Sequence, residues 1–258
     1  MTTVAVTGAA RGIGAAIARA LAAAGYDLLL GDLDEAVVSL ARELGGIGAV
    51  LDVTDQASYE AWLALVPSVD VLVNNAGVMW VGPYADEPAT AVERQFAVNV
   101  HGVVRGTRLV LPAMLRRRSG LVVTVASVAS YVAPAGEATY AATKHAVHGW
   151  MKAVRQEIAG SGVRLALVMP TVVETELAVG TASGAVPRLS PEQVAAAVVG
   201  VIEKPRFETF VPARVALLVR VLALLPQRGR DVMYRKLVPN QTKSDLTVRR
   251  QYEARRLG

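Results

Sequence analysis

Apolar residues in this chain fall into short unbroken runs, separated by longer stretches of mixed, helical spacing. The runs cover residues 2–6, 27–31, 47–51, 69–73, 121–125, 163–168 and 207–211. Short β-branched runs without alternation mark strands buried on both faces. Helical spacing is predicted after the first strand to about residue 24, and over 34–44, to about 64, 89–118, and a segment carrying Tyr140 and Lys144. Ser190-Pro191-Glu192-Gln193 reads as a cap, an N1 proline and a reciprocal N3 side chain that start a helix ending near residue 203. Strand and helix alternating in this way predict an α/β fold, a Rossmann-type doubly wound parallel sheet of about seven strands with helices on both faces.

Residues that carry chemistry gather where strands run out, the edge at which open α/β sheets bind ligands. The first strand leads into TGAARGIG at residues 7–14. Gly8 can turn where a side chain could not. Gly12 and Gly14 allow close backbone approach at a helix N-terminus, whose exposed N–H groups attract phosphate. The second strand ends at Asp32, eighteen residues beyond Gly14. A carboxylate there accepts hydrogen bonds from an adenosine ribose and repels a 2′-phosphate, which favours NAD over NADP. Arg11 pulls the other way, since a guanidinium in the glycine loop suits a phosphate. Leu33, by contrast, is apolar where a second basic residue would help. Asp52, followed by Val53, is either a cap-region acceptor or a contact to the adenine amino group, with Thr54 or Asp55 capping the next helix.

The fourth strand runs into Asn74-Asn75-Ala76-Gly77, by itself an ordinary turn. Asn99 interrupts an apolar stretch of helix, and a buried amide needs partners. Ser127 ends the fifth strand, thirteen residues before Tyr140, and Lys144 follows four residues later on the same helical face. A free phenol titrates near about 10. A neighbouring ammonium favours phenolate and moves the group toward the working range. With Ser127 holding a carbonyl or alcohol oxygen, the trio suits proton exchange while a hydride moves at the attached carbon. Taken alone, Tyr140 and Lys144 equally fit an amphipathic pair with a snorkelling lysine.

Composition removes whole classes of function. The 258 residues include no cysteine, so disulfides, cysteine-ligated zinc and a cysteine nucleophile are excluded. No set of acidic residues or His has metal-ligand spacing, and His101, His145 and His148 read as surface or interface residues. The N-terminus lacks a secretory pattern and no apolar run is long enough for a membrane span, so a cytoplasmic protein is expected. The net charge of +5 is uneven: residues 204–258 hold thirteen Lys/Arg against four Asp/Glu, and the first 203 hold fourteen against eighteen. The basic character belongs to the tail.

With these motifs in order, residues 2–212 resemble the short-chain dehydrogenase/reductase family. The T-G-x-x-x-G-x-G pattern is met by residues 7–14, N-N-A-G by 74–77, and S-x12-Y-x3-K by Ser127, Tyr140 and Lys144. The resemblance implies Tyr140 as acid/base, Lys144 lowering its pKa and binding the nicotinamide ribose, Ser127 orienting the substrate oxygen, and Asn99 holding a relay water. It also implies that Gly8, Gly12, Ile13 and Gly14 meet the pyrophosphate region and Asp32 the ribose. Asp52 and Val53 would meet the adenine, and Asn75, Ala76 and Gly77 the middle of the dinucleotide. Pro170, Val173 and Thr175 would wall the nicotinamide, although Thr171 stands where the family carries glycine. A homo-oligomer, tetramer or dimer, is a further implication.

Residues 1–212 thus read as the dinucleotide-binding and catalytic region, and 213–258 as its basic helical extension. Residues 215–225 (VALLVRVLALL) are apolar apart from Arg220. They suit either an interfacial helix on an anionic membrane or a helix covering the substrate pocket or a subunit contact, with solvated arginines outside. The second reading is favoured, and no motif supports nucleic-acid binding. Residues 180–187 read as an irregular lid. Val78, Met79, Trp80, Val132, Val179 and Leu189 suggest a hydrophobic alcohol or ketone as substrate.

Overall fold

The computed structural model describes residues 2–184, 186–243 and 246–257. Its strands are β1 (Thr3–Thr7), β2 (Asp27–Asp32), β3 (Ile47–Val50), β4 (Val71–Asn74), β5 (Gly120–Val125), β6 (Val163–Pro170) and β7 (Glu208–Val211). All pair in parallel in one seven-stranded sheet, ordered β3-β2-β1-β4-β5-β6-β7. The winding direction reverses between β1 and β4, and a crevice opens at such a switch point.

Successive strand residues enter opposite layers. Val4, Val6, Leu28, Leu30, Val71 and Val73 pack with α1 (Gly12–Ala23), α2 (Ala36–Glu43) and α7 (Pro191–Glu203). Ala5, Leu29, Leu72 and Val122 pack on the other side with α3 (Gln56–Leu63), α5 (Val103–Arg117) and α6 (Ala138–Glu157), through Tyr59, Trp62, Met114 and Met151. Between α3 and α5 the chain forms α4 (Ala89–Phe96). Each buried Val, Leu or Met in these two layers stabilises the fold by roughly 1.5–3 kcal/mol. Burial on both faces is why the strands read as unbroken apolar runs.

The helix predicted over 89–118 is interrupted. After α4, residues Ala97–Gly102 make a π-type turn before α5 begins. The wider turn reorients one residue's side chain relative to a regular helix, and such turns often occur at functional sites. Here it carries Asn99. Asp55, not Thr54, caps α3, accepting from the Ser58 N–H at 2.7 Å. The predicted capping box of α7 is present.

Beyond β7, the chain forms α8 (Val215–Leu224), α9 (Gln227–Leu237) and α10 (Leu246–Arg256). Val215, Val219 and Leu222 of α8 turn inward, while Leu217 and Leu224 are 70% and 85% exposed. Helix α10 lies across the loops that follow β4 and β6. The described part of the predicted lid is irregular but tied down: Ala182 exchanges two hydrogen bonds with Gln241, each 2.8 Å. Ala185 of that segment lies outside the described residues.

Candidate active site

A cleft of about 610 Å³ opens at the carboxyl edge of the sheet, lined by the glycine loop at one end and by α8 and the α9–α10 region at the other. The glycine loop is packed too closely for side chains. A β-carbon on Gly14 would sit 1.9 Å from the Gly8 carbonyl oxygen, and one on Gly8 would sit 2.7 Å from the Ala76 Cα. Gly8 also has φ +66, the left-handed region that favours glycine. Asn75 holds the loop in this form: its Nδ2 donates to the carbonyls of Thr7 and Gly8 at 3.0 and 2.9 Å. The N–H groups of Asn75 and Ala76 both donate to Thr7 Oγ1 at 3.1 Å. The Asn-Asn-Ala-Gly turn is therefore a clamp on the loop.

No side chain caps α1, so its first N–H groups face the cleft with the positive end of the helix dipole. A diphosphate fits such a cradle, and the loop residues Gly8, Gly12, Ile13 and Gly14 line it. Asp32 accepts from the N–H of Ala10 at 2.9 Å through Oδ2 and from Asp34 at 3.0 Å through Oδ1. Burial raises its pKa, against the Ala10 backbone bond and the charges of Arg11 and Arg256. Arg11 ion-pairs with Asp34 and, at 3.2 Å, with Glu176. Leu33 lies half exposed beside them. Asp52 Oδ1 accepts from both the N–H and the hydroxyl of Thr54, at 2.8 and 2.7 Å, while Asp52 also borders the cleft with Val53. Both readings of Asp52 thus have a geometric basis.

At the centre stand Ser127, Tyr140 and Lys144, all lining the cleft. The Ser127 hydroxyl accepts from the Ala129 N–H at 3.1 Å and meets the Tyr140 phenol. Lys144 Nζ lies 5.5 Å from the Tyr140 ring centroid and donates to the Val125 carbonyl at 3.3 Å. The electrostatics depart from the expectation that a neighbouring ammonium depresses the phenol. Burial is the largest influence on Tyr140 and raises its pKa; Glu137 raises it further, and Ser127 opposes. Burial also brings Lys144 down to about 8. Both groups lie in a low-dielectric wall where desolvation outweighs their mutual influence.

Asn99 borders this centre through its neighbours. Its Oδ1 accepts from Val78 N–H and its Nδ2 donates to Val78 O, both at 2.9 Å, with Thr143 Oγ1 at 3.1 Å. The side-chain amide thus fixes the strand of chain that follows Gly77 against the Tyr140 helix. Pro170, Val173 and Thr175 line the opposite wall. Thr171 does too, and its hydroxyl is buried without a hydrogen-bond partner. Of the apolar residues expected near substrate, Val78, Met79 and Val132 line the cleft; Trp80, Val179 and Leu189 do not.

Several residues are unforeseen. Arg249, in the basic tail, is wholly buried rather than solvated. It donates to the carbonyls of Leu177 (2.8 Å), Val179 (3.1 Å) and Met79 (2.6 Å), and to Glu253 (2.9 Å), which accepts in turn from Val81 N–H. Tyr252 and Glu137 join the cleft wall. His148, expected at the surface, is buried and paired with Glu208 at 2.8 Å beside Tyr131. An alternation of apolar and basic positions in the tail hints at one buried face, but nothing in it singles out Arg249.

The model of the short chain dehydrogenase family matches residues 2–184. The oxidoreductase UcpA of Salmonella typhimurium is 38% identical over 186 residues, covering 68% of this chain and 71% of its own. A short chain dehydrogenase/reductase from Burkholderia phymatum, solved in complex with NAD, superposes with TM-score 0.78 at 27% identity, over 93% of this chain and 96% of its own. An alcohol dehydrogenase from Thermococcus sibiricus, complexed with 5-hydroxy-NADP, gives TM-score 0.70 at 29% identity, over 81% of this chain and 95% of its own. With its glycine loop, Asn clamp and Ser-Tyr-Lys centre on one parallel sheet, this chain belongs to the short chain dehydrogenase family of oxidoreductases.

Proposed function

We propose that the protein interconverts a secondary alcohol and a ketone on a largely apolar substrate, using NAD(H). One observation carries the reading: the buried Tyr140 phenol, touching Ser127 and near Lys144, lines the same cleft as the glycine loop. Bound nicotinamide would supply or accept the hydride. Ser127 holds the reacting oxygen by a hydrogen bond. Tyr140, kept protonated at neutral pH by burial, donates its proton to a carbonyl oxygen during reduction and recovers it from the alcohol during oxidation. Lys144 stays largely charged below pH of about 8, offering a positive charge to the phenolate left after transfer and an N–H to the ribose. Asn99 keeps the wall at Val78 in register.

Asp32 lines the cleft beside the glycine loop, and Arg11 is already paired with Asp34 and Glu176. That supports NAD. The NADP reading draws on Arg256, whose positive charge reaches Asp32 and whose guanidinium lies 3.8 Å from Glu176. Both cations face carboxylates, and the acidic rim therefore supports NAD. The Val215, Val219 and Leu222 face of α8 gives the cleft an apolar far wall, consistent with a lipid-like or cyclic substrate and with residues 213–258 acting as a cover to the 1–212 region. Among the described residues no helix is long and apolar enough to cross a membrane, and we read the enzyme as a cytoplasmic homo-oligomer. Tyr140→Phe is the test: NADH formation from an accepted alcohol should fall by roughly 10²–10⁴-fold in kcat. A kcat near that of the parent would remove the acid/base assignment.

A further inference from the structure

Glu137 sits at the N-terminal boundary of α6, three residues before Tyr140, and is only 7% exposed. It occupies the N-cap position, but its side chain makes no capping hydrogen bond. No described residue donates a hydrogen bond to its carboxyl. The nearest opposing charge, Arg249, is engaged elsewhere by Glu253 and three carbonyls. Apolar residues line the same cleft, among them Val132, Pro134, Leu177 and Val238. A buried carboxyl with no partner is costly. The cost is offset if the donor arrives with the substrate, and Glu137 lines the same cleft as Ser127 and Tyr140.

We propose that Glu137 is a specificity-determining residue that accepts a hydrogen bond from a second polar group on the substrate, a hydroxyl or an amine on an otherwise apolar alcohol or ketone. The inference rests on the alcohol–ketone reading of the same site. Glu137 lies just before the first turn of α6, three residues from Tyr140, and both line the cleft, so the second group lies across a ring or short chain from the oxygen that Tyr140 serves. Burial lifts the Glu137 carboxyl to about 7, so at neutral pH it is present in both forms, and either can accept this bond. Apolar walls would recognise the carbon skeleton, and Glu137 would set its orientation.

The test compares cyclohexanol, 1,4-cyclohexanediol and 4-aminocyclohexanol, by NADH formation and by NMR titration of the protein with carboxyl-labelled glutamate. The parent should favour the diol or the amino alcohol over cyclohexanol by about 10- to 100-fold in kcat/KM or in Kd, mainly through KM, and the Glu137 signal should move only with the two-group probes. In Glu137→Leu the preference should collapse toward unity. In Glu137→Gln it should persist for the hydroxyl and fall for the amine. Taking the ratio within each variant cancels any change that Glu137 imposes on Tyr140. Equal loss on all probes, or a parent that binds them alike, overturns the proposal. If no probe turns over, binding preference and the NMR signal alone decide it. A Tyr140→Phe enzyme that still turns over would overturn the alcohol–ketone reading instead, leaving the binding result intact.

Discussion

The glycine loop and helix α10 both line the cleft and are built on opposite principles. The loop works by leaving side chains out: backbone meets backbone, with Asn75 bonding carbonyls across the gap. Helix α10 works by burying one of the longest side chains available, with Arg249 spread over three carbonyls and a carboxylate. The first arrangement admits one residue type at its tightest points and generates a short motif. The second satisfies the carbonyl groups of two loops and needs only a guanidinium in reach. A close backbone approach is therefore rigid in sequence, while a buried cation is rigid only in space.

Breaking each end separates the two. Gly14→Ala forces a β-carbon onto the Gly8 carbonyl, a backbone atom that cannot swing aside. It should cost at least about 3 kcal/mol and abolish measurable NADH binding by fluorescence titration. Wild-type affinity in this variant would mean the loop is not the phosphate cradle. Arg249→Met keeps volume but leaves Glu253 and the three carbonyls without this donor. A cost of about 2–4 kcal/mol follows, a fall in Tm on the order of 10 °C. Affinity for NADH should stay within about threefold, because Arg249 itself bonds no residue of the glycine loop. A parallel loss of NADH affinity would show that the two ends are one cooperative unit.

The same contrast explains what could be read from residues alone. The strands were legible because burial on both faces leaves unbroken apolar runs, and the Ser127, Tyr140 and Lys144 spacing because a strand end and one helical turn fix it. The π-type turn at Ala97–Gly102 was not, since the phase shift of about 100° from one extra residue is masked where Phe96, Ala97, Val98 and Val100 are apolar on every side. Arg249 and Glu137 were not either. Charge predicts solvent, and only the packing of α10 over Met79 and Leu177 removes it. The direction of the Tyr140 shift needed three-dimensional burial, which pairwise spacing does not contain.

A pH series probes the buried charges themselves. Glu137 is raised by burial from an ordinary 4.5 to about 7, so the folded protein holds a proton that the unfolded chain releases. Its contribution to stability is full below about pH 4.5 and is lost as pH rises through about 7, by on the order of 2–3 kcal/mol. Lys144 has the opposite sign: lowered from 10.5 to about 8, it withholds stability below about pH 8 and restores it as pH rises toward 10.5. Thermal melts should therefore dip between about pH 7 and 8. Glu137→Gln should flatten the acid limb and leave the alkaline one, and a series in which it changes neither limb would show the carboxyl to be solvated.

The smallest effect bears on the acidic rim. Asp32→Ala should raise the ratio of NADPH to NADH affinity by about tenfold, roughly 1.4 kcal/mol, because the carboxylate that would face a 2′-phosphate is gone while Arg11 and Arg256 remain. The substitution also removes acceptors for the N–H groups of Ala10 and Asp34, so a loosened loop could mimic the result. Asp32→Asn separates the causes, since it keeps one oxygen for a backbone donor and loses the charge. If repulsion sets the preference, both variants shift toward NADPH. If loop geometry sets it, only the alanine variant does, and Asp32 then acts as a brace for the glycine loop, as Asn75 does from the other side.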